Sequence, residues 1–312
     1  MIEIRRGRLE DHEAIAAIAT DTFEWGDYVA SVYPEWLEEA DGEALVAVDE
    51  NDQAIAVVHV RLLAPQEGWI SGARVAGDHR RQGVGSLLNQ AAQSWLQNRG
   101  AVVARLTTEE DNKAARSQVE KLGYRPVANF IHGHRSFPPL GVTNGRPRPA
   151  LAERANGRPR PALAERANGR PRPALAERFD LAPAAEAEPA FVVFSSGGLA
   201  RSAHGLFASD GWNFRRLHHA DLVSAARRRQ LWTCPSGWVA IRPSEERMWV
   251  SLLVTSAEDS RGAIRALVDL GEEHGVESME LIVPRIGWLE EALASEWVML
   301  AYPNVVYERP LP

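Results

Sequence analysis

The sequence predicts an α/β protein built on a sheet of mixed direction, and three observations carry that expectation. Strand-like runs and amphipathic helix-like runs follow one another along the first 137 residues. Their order, β-α-α-β-β-β-α-β-α-β, joins some strands by polar turns and others through a helix, which suits a mixed sheet. From residue 190 onward a similar order returns more faintly.

Each element has its own reason. "IEIRRG" alternates as a strand, and "LEDHEAIAAIATDTF" sets Ile15, Ile18 and Ala19 on one helical face. "WGDYVASVYPEWLEE" reads as a second helix that should break or bend near Pro34, which lacks the N–H a helix needs. "ALVAVDENDQAIAVVHVRLL" is two strands joined by a polar turn from Glu50 to Gln53, and "GWISGARV" is a further strand. Gly72 within it suits either a β-bulge or the close approach of a helix. "AVVARLTT" returns to strand, and "DNKAARSQVEKLG" is a helix with Ala115, Val119 and Leu122 on one side, stopped by Gly123. "RPVANFIHGHRSF" closes the set as a strand.

Between "GWISGARV" and "AVVARLTT" stands the most informative stretch, "VAGDHRRQGVGSLLNQAAQSWLQNRG". Val84, Leu87, Leu88, Ala91, Ala92, Trp95 and Leu96 form one helical stripe, so a helix starts at the glycines and runs to Gly100. A helix start exposes backbone N–H groups at a positive dipole end. Gly83 and Gly85 clear side chains from it, and Arg80 and Arg81 add positive charge, which together favour an anion such as a phosphate. The stretch lacks the third glycine of a dinucleotide fingerprint, since position 88 is Leu88, and lacks the Gly-Lys-Ser/Thr of a P-loop.

Composition sets the surroundings. The chain has 312 residues, enough for two domains, with 45% hydrophobic and 25% charged residues, as in ordinary globular protein. No apolar run has the length of a membrane span, and the opening residues lack the layout of a secretory signal. The single cysteine, Cys234, fits a reducing compartment, so a cytoplasmic location is expected. "NGRPRPALAER" occurs three times between residues 144 and 178, and each copy is basic, whereas the chain as a whole carries −7. The remainder is therefore markedly acidic, which argues against nucleic acid as a partner. The prolines and glycines of the repeats point to an interdomain tether, with a basic docking arm as the alternative. The expected organisation is a domain at 1–140, a linker at 141–189 and a second domain at 190–312.

"RRQGVG" matches the Arg/Gln-x-x-Gly-x-Gly/Ala loop of the GNAT superfamily, the acetyl-CoA-dependent N-acetyltransferases. "DNKAARSQVEKLGYRPV" resembles that family's following helix, and the resemblance covers residues 2 to about 137. It implies a mixed-sheet GNAT fold in two tandem copies joined by the Arg/Pro-rich linker, with acetyl-CoA as co-substrate. The resemblance places the cofactor's pyrophosphate on the backbone of Gln82, Gly83, Val84, Gly85 and Ser86, beside Arg80 and Arg81. The pantetheine would pair like an added strand with Arg74 and Val75, and Asn112 would hydrogen-bond the cofactor arm.

The family's usual reaction is direct attack of a neutral amine on the thioester, which needs a base, donors at the carbonyl and an acid for the thiolate. A lysine-type amine has a pKa of about 10.4, so its deprotonation is the demanding step. Glu110, Glu24 and Asp27 are the base candidates. Glu109 and His59 are further ones, although His59 fits a hydrogen-bonded core histidine better and Asp27 could cap the second helix. Many members place a tyrosine acid seven residues after the helix asparagine, where this chain has Val119. Tyr124 matches the family's packing aromatic instead. That leaves the acid's role to water or to another group.

In the second half, "AFVVFSS" reads as strand, "GLARSAHGLFASDG" and "HADLVSAARRRQ" as helices, and "SRGAIRALVDLGEEHG" as an amphipathic helix. "SAEDSRGA" stands where a second glycine loop belongs, and Glu258 and Asp259 there would repel a pyrophosphate, so this half resembles a degenerate GNAT domain. Six tryptophans, Trp212, Trp232, Trp238, Trp249, Trp288 and Trp297, supply a core or an aromatic platform. Cys234 fits a small buried residue, and neither "HGH" nor "HH" has further ligands at a metal spacing, so no metal is expected. The expected activity is acetyl transfer to a primary amine of a small molecule or amino acid, by a monomer or homodimer. The alternative is a non-catalytic CoA-binding regulator.

Overall fold

The structure is a computed structural model that describes residues 2–20, 27–137, 178–243 and 246–312. The chain divides into two compact units, and their boundaries differ from those expected at 140 and 190. The first holds the residues up to Pro126 together with Val306–Pro312, and the second runs from Val127 to Val305. The repeats at 144–177 lie outside the described residues.

In the first unit β1 (Glu3–Arg6) leads through α1 (His12–Thr20) and α2 (Val29–Glu38) to β2 (Gly42–Val48), β3 (Ala54–Ala64) and β4 (Glu67–Val75). Then come α3 (Val84–Gln97), β5 (Val103–Glu109) and α4 (Lys113–Lys121). The sheet order is β1-β2-β3-β4-β5, antiparallel through β4 and parallel between β4 and β5. Residues 54–60 of β3 are buried regardless of parity, so both faces of that strand are covered. α1 packs on β3, α2 on β2, and α3 on β2, β3 and β4. This is the element order read from the sequence.

Of the break or bend expected near Pro34, the break does not occur: Pro34 lies inside α2, which continues through it. Proline removes the bond to the carbonyl four residues back, that of Ala30, and the ring nitrogen Nε2 of His12 hydrogen-bonds that oxygen at 2.9 Å. A side chain from α1 thus satisfies the group that the missing N–H abandons.

β6 (Arg125–Ser136) belongs to the second unit from Val127 on. There follow β7 (Asp180–Leu181), α5 (Ala187–Ser196), α6 (Gly198–Ser202), the hairpin of β8 (Leu206–Asp210) and β9 (Asn213–Arg216), and α7 (His219–Arg227). The second half of the unit is β10 (Leu231–Cys234), β11 (Gly237–Pro243), β12 (Arg247–Val254), α8 (Ser260–His274), β13 (Ser278–Pro284), α9 (Gly287–Ser295) and β14 (Met299–Pro310). β12 and β13 pair in parallel, and β13 pairs antiparallel with β6 from Ser278↔Ser136 to Pro284↔Phe130. The residues of β14 beyond Val305 belong to the first unit.

Three readings of this half are corrected. "AFVVFSS" is the helix α5, because Ala187, Ala190 and Phe194 are its buried positions, a helical spacing that a short apolar run disguises. Residues 179–189, read as linker, are packed: Phe179 is 1% exposed in the core and β7 pairs with β10. "GLARSAHGLFASDG" is not one helix. α6 stops at Ser202, and His204 and Gly205, with φ of 54° and 72°, turn the chain into β8. Cys234 is a free, buried cysteine at the core, as read.

Candidate active site

β4 and β5 touch only over Glu67↔Val103, Gly68↔Ala104 and Trp69↔Arg105. Beyond that last pair β4 continues to Val75 and β5 to Glu109 unpaired with each other, so the two strands open a notch whose walls carry backbone N–H and C=O groups. At the vertex Arg105, 2% exposed, donates to Glu67 on β4 and from Nε to Glu308 at 2.7 Å. The notch is therefore anchored by a buried charge cluster rather than by chance divergence.

Gly72 serves both purposes considered for it. His59 pairs with Ser71 and Val57 with Arg74, so β4 carries one extra residue at Gly72–Ala73, a β-bulge beside the notch. Gly72 also has φ of 63°, and a Cβ built on it would lie 2.4 Å from the Trp36 ring of α2. His59 stacks on that same ring at 4.5 Å, with Nε2 2.7 Å from Glu39 Oε2. Burial lowers its pKa, although Glu39 opposes the shift. It is a core histidine.

The loop after β4 curls through left-handed residues on either side of Gln82, Arg81 at φ 63° and Gly83 at φ 86°. Backbone of this kind gathers N–H groups into a concave set that favours anions. Gly83 is the N-cap of α3, no side chain caps that helix, and its first turn has no acidic residue. Nothing lies within 4 Å of the position a Gly83 side chain would take, whereas at Gly85 a Cβ would meet the Gln118 amide of α4 at 2.7 Å. The N–H of Ser86 bonds the Gly83 carbonyl at 2.9 Å, which leaves Gln82 to Gly85 as the open part of the expected cradle. Arg80 donates from Nε to the Val75 carbonyl at 3.0 Å, and Gln82 ties its amide to the Asp78 carbonyl at 2.7 Å.

Asn112 is the N-cap of α4, with its oxygen accepting the Ala115 N–H at 3.0 Å. Of the base candidates, Glu24 lies outside the described residues. Asp27 is bound by the Arg74 guanidinium through both oxygens and also accepts the Val29 N–H at 2.9 Å, so it fixes the Arg74 side chain and the start of α2. Glu110 lends its carbonyl to Arg116 at 2.8 Å. Glu109 ends β5 at the open side of the notch, half-buried, and burial together with the charge of Asp111 raises its pKa. Val119 is half-buried on α4. Tyr124 is buried between Asn89 and Gln93, each 3.3 Å from its hydroxyl, and burial pushes its pKa up to about 12. It packs, as read.

The second unit differs at the matching place. Between β12 and α8, Ser256 Oγ and Asp259 Oδ2 lie 2.7 Å apart, and Asp259 is the N-cap. A carboxylate already occupies the dipole end that an incoming anion would need. His132 and His134 of "HGH" both face Glu280, at 3.1 and 3.9 Å.

The Acetyltransferase (GNAT) family is matched by residues 12–124. N-alpha-acetyltransferase 30 of Schizosaccharomyces pombe is 34% identical over 118 residues, 35% of this chain and 78% of that protein. A GCN5-related N-acetyltransferase from Sphaerobacter thermophilus superposes with a TM-score of 0.63 at 14% identity, over 99% of this chain and 96% of that one. An acetyltransferase structure from Thermoplasma acidophilum gives 0.56 at 14% identity, over 99% of both chains. The chain belongs to the GNAT acetyltransferase family and is an acyltransferase, and the fold it shares with those structures extends over both units.

Proposed function

We propose that the first unit moves the acetyl group of acetyl-CoA to a primary amine of a small molecule or amino acid. The observation that carries this reading is the parting of β4 and β5 after Trp69↔Arg105, directly ahead of the loop that opens α3. In this reading the diphosphate rests on the N–H groups of Gln82, Gly83, Val84 and Gly85, with Arg80 and Arg81 beside it and Ser86 at the rim. The pantetheine lies along Arg74–Val75, and the Asn112 NH₂, which the helix cap does not use, points its donors to the cofactor arm.

Glu109 is the base. Its raised pKa makes it a better proton acceptor than an ordinary carboxylate, and its place at the open end of β5 puts it beside the notch. The ammonium proton passes to Glu109, and the amine lone pair attacks the thioester carbon. A backbone N–H at the notch polarises the carbonyl. As the C–N bond forms the C–S bond breaks and the thiolate leaves with that electron pair; the acylated nitrogen then sheds its second proton, which reaches the thiolate through water. Glu110 and Asp111 next to Glu109 give the rim an acidic character that attracts a cationic amine.

A second acceptor, the α-amino group of a protein, is favoured by the likeness to N-alpha-acetyltransferase 30. Thiol release from acetyl-CoA, measured over free amino acids, diamines and peptides with free N-termini, separates the two. Turnover of small amines supports the first, turnover of peptides alone replaces it with the second, and silence across the panel overturns both. Calorimetry tests the loop: Gly83→Val with Gly85→Val is expected to weaken coenzyme A binding by about tenfold or more, and an unchanged affinity removes the loop from the site.

A further inference from the structure

α4 carries two groups that face the proposed cofactor: Asn112 at its N-cap and Gln118, whose amide lies against Gly85 of the loop. Yet α4 has no fully buried residue. Ala115, Val119 and Leu122, its apolar stripe, are only half-covered. A helix of nine residues with so little apolar burial does not hold its own position, because isolated helices of that length are marginal and packing normally supplies the rest. Something else has to fix where α4 sits.

That something comes from 191 positions beyond Arg116 in sequence. The hydroxyl of Tyr307, on β14, accepts from Arg116 Nε at 3.0 Å and donates to Glu120 Oε1 at 2.9 Å. Arg116 and Glu120 are four residues apart, so one phenol clamps two successive turns of one helix face. Two residues on, and hence on the same side of the strand, Arg309 donates to the Leu122 carbonyl at the C-cap of α4. Glu308, between them, turns the other way to Arg105. The Tyr307 ring is 0% exposed, and burial raises its pKa, so the hydroxyl keeps the proton that it donates to Glu120. Arg116 in turn reaches the Glu110 carbonyl at 2.8 Å and so links the clamp to the turn after β5.

We propose that Tyr307 is a positioning residue of the acetyl-CoA site: its hydroxyl, bridging Arg116 and Glu120, fixes α4 where Asn112 and Gln118 meet the cofactor. Residues 306–312 are then part of the catalytic unit rather than a trailing strand. The inference rests on the acetyl-CoA reading above.

The experiment uses the full chain. Tyr307→Phe keeps the buried ring and removes the clamp. Glu120→Ala, at an exposed position, cuts the same link without touching the core, and Glu120→Gln restores an acceptor for the hydroxyl. Coenzyme A affinity is measured by calorimetry, with KM for acetyl-CoA and for the amine determined separately. Losing one hydrogen bond of this kind predicts about three- to tenfold weaker coenzyme A binding in Tyr307→Phe and Glu120→Ala. The KM for acetyl-CoA rises in step, the KM for the amine stays near wild type, and Glu120→Gln recovers most of the loss. Wild-type affinity in both Tyr307→Phe and Glu120→Ala overturns the proposal, as does an equal rise in both KM values. Failure of the wild-type protein to bind coenzyme A instead overturns the acetyl-CoA reading, and the clamp's role with it.

Discussion

Gly72 and Trp36 occupy the same space in turn: the indole of α2 fills the place where any side chain at position 72 would begin, 2.4 Å from a built Cβ. The bulge on β4 and the packing of α2 are therefore one feature. Gly72→Ala meets two penalties, a left-handed backbone at φ 63° and a collision with a ring already stacked on His59. The first costs about 1 kcal/mol and the second about 1–3 kcal/mol, as overpacking does. Urea unfolding of Gly72→Ala is expected to show a loss of about 2–4 kcal/mol. A companion Trp36→Leu should recover part of it by making room, and if the double variant is as unstable as the sum of the singles, the contact is not the cause.

Glu109 links activity and stability in opposite directions. Burial and then the neighbouring Asp111 raise its pKa in the folded protein. A carboxyl with a raised folded-state pKa contributes stability at pH values below its unfolded pKa, and that contribution is lost as pH rises through the folded pKa. At neutral pH the buried charge is a net burden, so Glu109→Gln is expected to raise Tm at pH 7. The gain should vanish in acid, where both carboxyls are protonated. As the base, the same residue supports turnover, and its replacement should lower kcat about a hundredfold and abolish the acidic limb of the pH–rate profile. A Glu109→Gln enzyme that is more stable and fully active would remove Glu109 from the chemistry and pass the role to its neighbour Glu110.

How far the sequence spoke depends on the distance over which each feature is decided. The loop from Arg80 to Gly85 was legible because glycines, arginines and an amphipathic run lie within one stretch, and each acts on its neighbours. The meander of β2, β3 and β4 was legible for the same reason. That α2 runs on through Pro34 was not legible, because the group that meets the freed carbonyl is His12 on another helix. Glu109 and Glu110 are adjacent carboxylates, both half-buried, that composition cannot separate, and only the fold shows that Glu109 is the one that ends β5. Asp27 gave no sign of its guanidinium partner 47 positions away. Tyr307 and Glu308 gave none either, since "VVYERP" reads as a strand whatever that strand serves.

The vertex of the notch carries a prediction of its own. Arg105 is 2% exposed and joins Glu67 and Glu308, themselves 10% and 16% exposed. Replacing the guanidinium by a hydrocarbon, Arg105→Met, strands two carboxylates in a place that water barely reaches. Breaking a buried pair from one side typically costs about 3–5 kcal/mol. Without the cation the two carboxyls repel each other and are poorly solvated, so denaturant titration of Arg105→Met at pH 7 should show that loss. Adding Glu67→Gln and Glu308→Gln to Arg105→Met removes the stranded charges and should return much of the loss at pH 7, because a neutral cluster of similar volume has no ions to desolvate. A triple variant no more stable than Arg105→Met would mean that Arg105 acts through the volume of its side chain. The parting of β4 and β5 would then owe nothing to the charges at its root.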